Sequence, residues 1–304
     1  MSVYESYSEL MLGLGDCSWK KHLSALKMEG PLDEDMIAAD HYSVFGLNIF
    51  PLRDYFLNQD GHIYNELTEL YQKFHFDHED QTGGMGATHL GVQLKFLDHL
   101  ENSKGEFDGH LLKKTRQAFL KESLFDWILP LKVSMHYQPS RVFQKIVDQL
   151  FETLLGEIVP LEERNNIFLP PYPEEFLAKN FIESEETRLK DIISYLLNPY
   201  LSGIFLTRTA IVEMGRSLDI PFGFGERKSL LDRLFKEAGQ YEVTTKLIIL
   251  FRDHFGEWKG HYKKAPQNLG PYKDFWCQKV ENTLDLFSMI DETLEKEKRT
   301  YANN

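Results

Sequence analysis

Three features of this 304-residue chain predict an all-α fold. Apolar residues recur at helical spacing along most of its length. Strict alternation of apolar and polar residues over five or more positions is hard to find. Runs of Val, Ile and Thr bounded by turns are scarce. Leu90, Leu94 and Leu97, widened by Phe96 and Leu100, form one apolar stripe. Phe143, Ile146, Val147, Leu150, Phe151, Leu154 and Leu155 form a second. Leu230, Leu231, Leu234 and Phe235 repeat the pattern, as do Leu247, Ile248, Leu250, Phe251 and Phe255. Each stripe describes an amphipathic helix that buries one face.

Caps and breakers divide the chain in order. Pro31, followed by Asp33, Glu34 and Asp35, puts carboxylates at a helix start, where the dipole favours them. That helix runs from about Asp33 to Leu47 and stops before Pro51. Gly61 turns the chain into a helix over Ile63–Phe76. Gln81–Thr88, with three glycines, reads as a loop, and Thr88 as the N-cap of a helix over His89–Leu100. Pro130 kinks or restarts the helix that carries Leu124 and Trp127, and Pro139 opens one over Ser140–Leu155. Prolines at 160, 170, 171 and 173 forbid continuous helix over Val159–Pro173, which is expected to be a linker or extended strap. Helices follow over Glu183–Leu197 and Thr207–Leu218, then a turn over Asp219–Gly225, then helices over Glu226–Gly239 and about Phe275–Lys298. The expected organisation is two helical regions, residues 1–160 and 161–304.

Charge narrows the function classes. The chain has 34 basic and 47 acidic residues, a net charge of −13. Phosphate backbones are held by clustered Lys and Arg, so no nucleic-acid partner is expected. A cationic ligand or peptide suits the surface better. Cys17 and Cys277 lie far apart and form no disulfide framework, which fits a reducing compartment. The first residues are acidic without an unbroken apolar stretch, and nowhere do 18 apolar residues run together. Neither a signal peptide nor membrane insertion is expected, and the expected location is the cytoplasm. With 22 Phe, 14 Tyr and 4 Trp, the chain has the rings for a large core and an aromatic binding surface.

Groups that carry chemistry are poorly assembled. His75, Asp77, His78 and His89 cluster in sequence but lack a ligand spacing, and no H-E-x-x-H occurs, so no metal is expected. Gly83, Gly84 and Gly86 lack the Gly-Lys-Ser/Thr of a phosphate loop, and Gly223 and Gly225 lack a preceding strand. No G-x-S-x-G occurs. The expectation is a binding protein rather than an enzyme, with no cofactor of its own. Aromatic, acidic helical grooves take apolar anchors and basic flanks of a peptide.

Several motifs stand in a definite order. The first is DHYSVFGLNIFPLRDYFLNQDG, from Asp40 to Gly61; the second is HLGVQLKFLDHL, from His89 to Leu100. Phe125–Pro130 follows as an aromatic-Pro segment. Over about residues 36–155 this order resembles the TorD/DmsD/NarJ family of cytoplasmic maturation chaperones for molybdenum enzymes. Ser202–Arg208, Leu218–Arg227, Leu230–Phe235 and Ala238–Tyr241 resemble the C-terminal extension of longer members.

The resemblance implies a TorD-like helical bundle with an additional C-terminal helical region. It implies a partner: the apo catalytic subunit of a molybdopterin oxidoreductase, or its twin-arginine signal peptide, held until the cofactor is loaded. It leaves monomer and domain-swapped dimer both open. Carried over residue by residue, the family's Leu-Phe pair falls on Val44 and Phe45. Its Pro-aromatic pair falls on Pro51 and Leu52, with Leu in place of Trp, and the next aromatic on Phe56. Its Asp-His pair falls on Thr88 and His89. The expected partner-binding set is therefore Phe45, Pro51, Leu52, Phe56, Tyr71, Thr88 and His89. Thr88 cannot pair with an arginine, which favours binding of the enzyme body over the twin-arginine motif. Two other classes share the composition: an unrelated helical scaffold or regulator, and a helical nucleotide-binding enzyme that uses the glycine loops.

Overall fold

The computed structural model describes residues 1–14, 17–28, 33–57, 62–158, 173–184, 187–221 and 223–302. Among them are 17 α-helices and no strand beyond one isolated bridge, the all-α class the periodicity predicts. The chain divides into two compact units, Met1–Ile167 and Phe168–Asn304. This boundary and the expected one after residue 160 both lie outside the described residues. So do Pro31, Gly61, Phe222 and all of the expected strap except Pro173.

In the first unit, Ser2 and Glu5 form a capping box that starts α1 (Val3–Leu12), and Gly13 ends it at φ 60°. The helices α2 (Trp19–Ala25) and α3 (Glu34–His41) follow, and Asp33 caps α3 by accepting from the Asp35 N–H. The expected helix to Leu47 does not stay regular: it widens into a π-turn over Tyr42–Gly46. Next come α4 (Arg53–Leu57), α5 (His62–Lys73) and a short α6 (His78–Gln81). The expected loop therefore opens on helix, and Gly83 (φ 63°) and Gly84 (φ 82°) supply the left-handed turns after it. Then α7 (Leu90–Asn102) and α8 (Gly109–Phe119) lead through a second π-turn, Leu120–Leu124, into α9 (Ile128–Met135) and α10 (Arg141–Glu157). Pro130 sits in the first turn of α9, where no intrahelical bond needs its N–H.

The expected cap of α7 moves by one residue. His89, not Thr88, is the N-cap, because its Nδ1 accepts from the Gly91 N–H at 3.1 Å. Helix α1 lies along α7 so closely that a Cβ on Gly91 would come within 2.6 Å of Leu12. There Ser8 Oγ donates to the Gly91 carbonyl at 2.7 Å. Beneath them Tyr71, Phe76, Phe96 and Phe119 are buried with ring centroids 4.7 to 5.5 Å apart along the chain of contacts. Burying each such ring stabilises the unit by roughly 1.5–3 kcal/mol.

In the second unit, α11 (Ala178–Glu183) and α12 (Leu189–Leu197) replace the single helix expected over Glu183–Leu197. The restart is set by Asp191, whose carboxylate accepts from the Arg188 N–H. The helices α13 (Pro199–Ser202), α14 (Arg208–Ser217), α15 (Arg227–Gln240), α16 (Thr244–Lys263) and α17 (Gly270–Ala302) complete it. Tyr262 meets Trp276, Lys259 pairs with Glu281 and Arg252 with Asp291, so α16 and α17 run antiparallel.

One glycine holds α13 against α17. Gly203 ends α13 at φ 79°, its carbonyl accepts from Tyr262 Oη at 2.7 Å, and a Cβ would lie 2.6 Å from the Val280 nitrogen. Beside it, Lys279 Nζ donates to the Tyr200 carbonyl at 2.5 Å and lies 3.6 Å from the Tyr200 ring. Gly203→Ala combines a disfavoured φ with a backbone clash, and is expected to destabilise the second unit by roughly 3 kcal/mol in urea unfolding. Gly239→Ala, inside α15 with open space at its Cβ, is expected to be neutral or stabilising in the same measurement.

Candidate binding surface

Four of the seven expected site residues meet where two irregular segments pair. The Leu90 N–H donates to the Pro51 carbonyl at 2.8 Å, and the Arg53 N–H donates to the Thr88 carbonyl at 3.0 Å. These bonds make the isolated antiparallel bridge between Leu52 and His89. Thr88 Oγ1 then donates to Asp54 Oδ1 at 2.8 Å, and Gln93 Nε2 to the Thr88 carbonyl at 3.3 Å. An acid therefore stands beside Thr88 in space, supplied from α4 rather than from the neighbouring position in sequence.

Tyr71 and Phe56 anchor this junction from below. Tyr71 is fully buried and its hydroxyl donates to the Ala87 carbonyl at 2.9 Å. Phe56 is fully buried with its ring 5.4 Å from that of Trp127. Phe45 belongs to a neighbouring cluster in which His41, Phe45 and Phe143 lie within 5.4 Å of one another and Trp19 within 5.3 Å of His41. His41 Nε2 donates to the Met11 carbonyl at 3.1 Å, in space that a side chain on Gly13 would fill. Of the seven residues only Leu52 is partly exposed; Phe45, Pro51, Phe56, Tyr71, Thr88 and His89 are buried. The six buried residues form the base of this junction.

The exposed groups above that base come from the same stretch. Tyr42, Leu47, Phe50 and Tyr55 are large apolar side chains left in solvent, Tyr42 at 63 % exposure. The Tyr42 ring lies over Gly46, where a Cβ would come within 2.7 Å of it, and Phe50 meets Tyr55 edge-on at 5.5 Å. The π-turn is held by the Asn48 and Ile49 N–H groups, both donating to the Val44 carbonyl, and by Asn48 Nδ2 donating to the Ser43 carbonyl. Residues 33–57 carry five acids, Asp33, Glu34, Asp35, Asp40 and Asp54, against one base, Arg53.

That base is neutralised from within. Arg53 is buried and donates from Nε and Nη2 to Asp126 Oδ2 at 3.0 and 2.6 Å, and from Nη2 to the Glu122 carbonyl. Burial pushes the Asp126 carboxyl up, and the Arg53 guanidinium opposes that shift. Burial, aided by nearby His41, lowers the His89 pKa to about 4, so His89 is neutral and its Nδ1 serves as acceptor. Elsewhere Asp77 caps α6, while the His75 ring stands 5.4 Å from Phe107. Among the described residues, no group of three or more His, Cys, Asp or Glu is placed to hold a metal ion. No helix there is long and apolar enough to cross a membrane.

Sequence reading missed Arg53, Asp54 and Asp126 as site residues, and it missed the exposed rings. The signal for the first and last was present: Arg53 and Asp54 interrupt the apolar run PLRDYFL, Asp126 is the lone charge in LFDWIL, and such a charge needs a partner when buried.

Two outcomes test this construction. Arg53→Ala removes the guanidinium that faces the buried Asp126 carboxyl and is expected to cost about 3–5 kcal/mol in urea unfolding, whereas Arg53→Met/Asp126→Leu is expected to lose far less. The unfolded His89 imidazole takes a proton near pH 6.5, while the folded one resists to about pH 4. Its stabilising contribution is therefore whole above pH 6.5 and lost as pH falls towards 4, a change on the order of 3 kcal/mol. His89→Asn keeps a capping side chain and is expected to remove that part of the pH dependence, measured by unfolding across this range.

No protein-family model matches this chain, and neither a curated protein nor a solved structure matches it.

Proposed function

We propose that this chain acts by binding: it is a maturation chaperone that holds an immature molybdopterin-dependent oxidoreductase in the cytoplasm. The observation that carries the binding reading is that one stretch leaves Tyr42, Leu47, Phe50 and Tyr55 exposed while Phe45, Pro51 and Phe56, interleaved with them in sequence, are buried. The class of client rests on the ordered motifs over residues 36–155 and their resemblance to the TorD/DmsD/NarJ chaperones.

Exposed aromatic side chains on a fixed backbone make strong anchors, since little conformational freedom is lost when a partner covers them. The stretch that carries them, residues 33–57, has five acids against one base, which favours a client segment that alternates apolar and basic residues. Release needs no covalent step. Binding stabilises the unfinished client by mass action, and folding of the client around its cofactor withdraws the segment from the surface.

The test is capture of a defined client. The apo catalytic subunit of a molybdopterin oxidoreductase from the same host is expected to co-purify with this chain and to leave when the cofactor is supplied. Tyr42→Ser/Phe50→Ser, both exposed, is expected to weaken capture by at least tenfold with helicity and unfolding midpoint unchanged. Recovery without any molybdoenzyme subunit, after growth that induces such enzymes, overturns the client assignment. Capture unaffected by the double substitution overturns the docking surface.

A further inference from the structure

A second surface of the first unit has the opposite charge character. Gly109–Lys121 carries Lys113, Lys114, Arg116 and Lys121 and no Asp or Glu, in a chain whose acids outnumber its bases 47 to 34. Where α8 starts, it leaves a cleft of about 330 Å³ against the end of α7. Leu100 and Leu112, both buried, form its apolar floor. Glu101, Lys104, Gly109, Lys113 and Arg116 complete the lining. This volume lies within the range of small-ligand sites, and so does the pattern of an apolar floor with a few polar groups at the rim.

The charges around the cleft are not equivalent. Arg116 is committed to the fold: Nε and Nη2 donate to Glu157 Oε2 at 2.8 and 2.6 Å, and Nη1 donates to the Leu97 carbonyl at 3.0 Å. Glu101 stands 3.8 Å from the same guanidinium, which offsets the one carboxylate in the lining. Lys104 and Lys113 remain, both exposed and neither in an ion pair among the described residues. The N-terminus of α8 adds little, because Asp108 already accepts from the His110 and Leu111 N–H groups. The cationic character therefore belongs to the two lysines. Gly109 contributes open space, since a Cβ there would meet nothing within 4 Å.

We propose that the cleft between the end of α7 and the start of α8 binds a small amphipathic anion, a carboxylate or phosphate carried on a short apolar body. The body lies on Leu100 and Leu112 and displaces water from them, and the anionic head is held between Lys104 and Lys113. This surface is separate in sequence and in charge from the client surface, and the proposal does not depend on the client's identity.

The test uses the full chain with four eight-carbon probes, octanoate, octyl phosphate, octanol and octylammonium, and with inorganic phosphate, titrated calorimetrically and by ¹³C-methyl shifts of Leu100 and Leu112. Saturable binding of octanoate or octyl phosphate is expected, at least tenfold tighter than that of octanol, octylammonium or inorganic phosphate, with both leucine signals moving. The two anionic probes tell a carboxylate preference from a phosphate one. Lys104→Glu/Lys113→Glu is expected to weaken the preferred probe by at least tenfold. Gly109→Leu, which fills the open space, is expected to block it with the unfolding midpoint unchanged. The proposal is overturned if neither anionic probe saturates, or if octanol binds as tightly. It is also overturned if the Leu100 and Leu112 signals stay fixed, or if the lysine variant binds as the parent does.

Discussion

Arg53 is the residue on which the first unit turns. Its side chain reaches Asp126 and the Glu122 carbonyl, ahead of α9, while its backbone N–H reaches the Thr88 carbonyl, ahead of α7. One residue thereby fixes the mutual position of three chain segments that are remote in sequence. Two charges taken out of water hold only because each answers the other, so the arrangement tolerates few alternatives. The bridge between Leu52 and His89, the cap on α7 and the Thr88–Asp54 bond follow from where Arg53 is held.

Helical periodicity made the fold class legible, because amphipathic stripes such as Phe143–Leu154 commit a segment to one face whatever its neighbours do. Several boundaries were placed well: the helices expected from Asp33, Ser140 and Thr207 begin one residue later, with those three side chains as their N-caps. Misreadings came where tertiary contact overrides local preference. Thr88 has the better capping side chain by type, yet its hydroxyl is drawn to Asp54, and His89 takes the cap. The late start of the helix expected over Glu183–Leu197 is instead a local effect: it begins at Leu189, where the Asp191 carboxylate accepts from the Arg188 N–H. Pattern alone does not show that Phe56 and Tyr71 face inward while Phe50 and Tyr55 face outward, since all four are aromatic and lie near apolar neighbours.

Net charge described the molecule poorly. The balance of −13 points to cationic partners, and the acids of residues 33–57 agree with that reading. The same unit carries a helix with Lys113, Lys114 and Arg116 and no acid at all. Electrostatic attraction between exposed groups fades over about 10 Å in ordinary salt, so each surface answers to its own neighbourhood rather than to the sum.

The π-turn over Tyr42–Gly46 has a consequence for chain length. Such a turn holds one residue more than regular winding would, and each residue of an α-helix advances the chain by about 100° around the axis. A protein one residue shorter between α3 and Pro51 could keep every aromatic side chain and still rotate those after the deletion relative to those before it. Spacing in this stretch is thus as much a determinant of the surface as composition, and a single deletion there would act like the loss of several side chains at once.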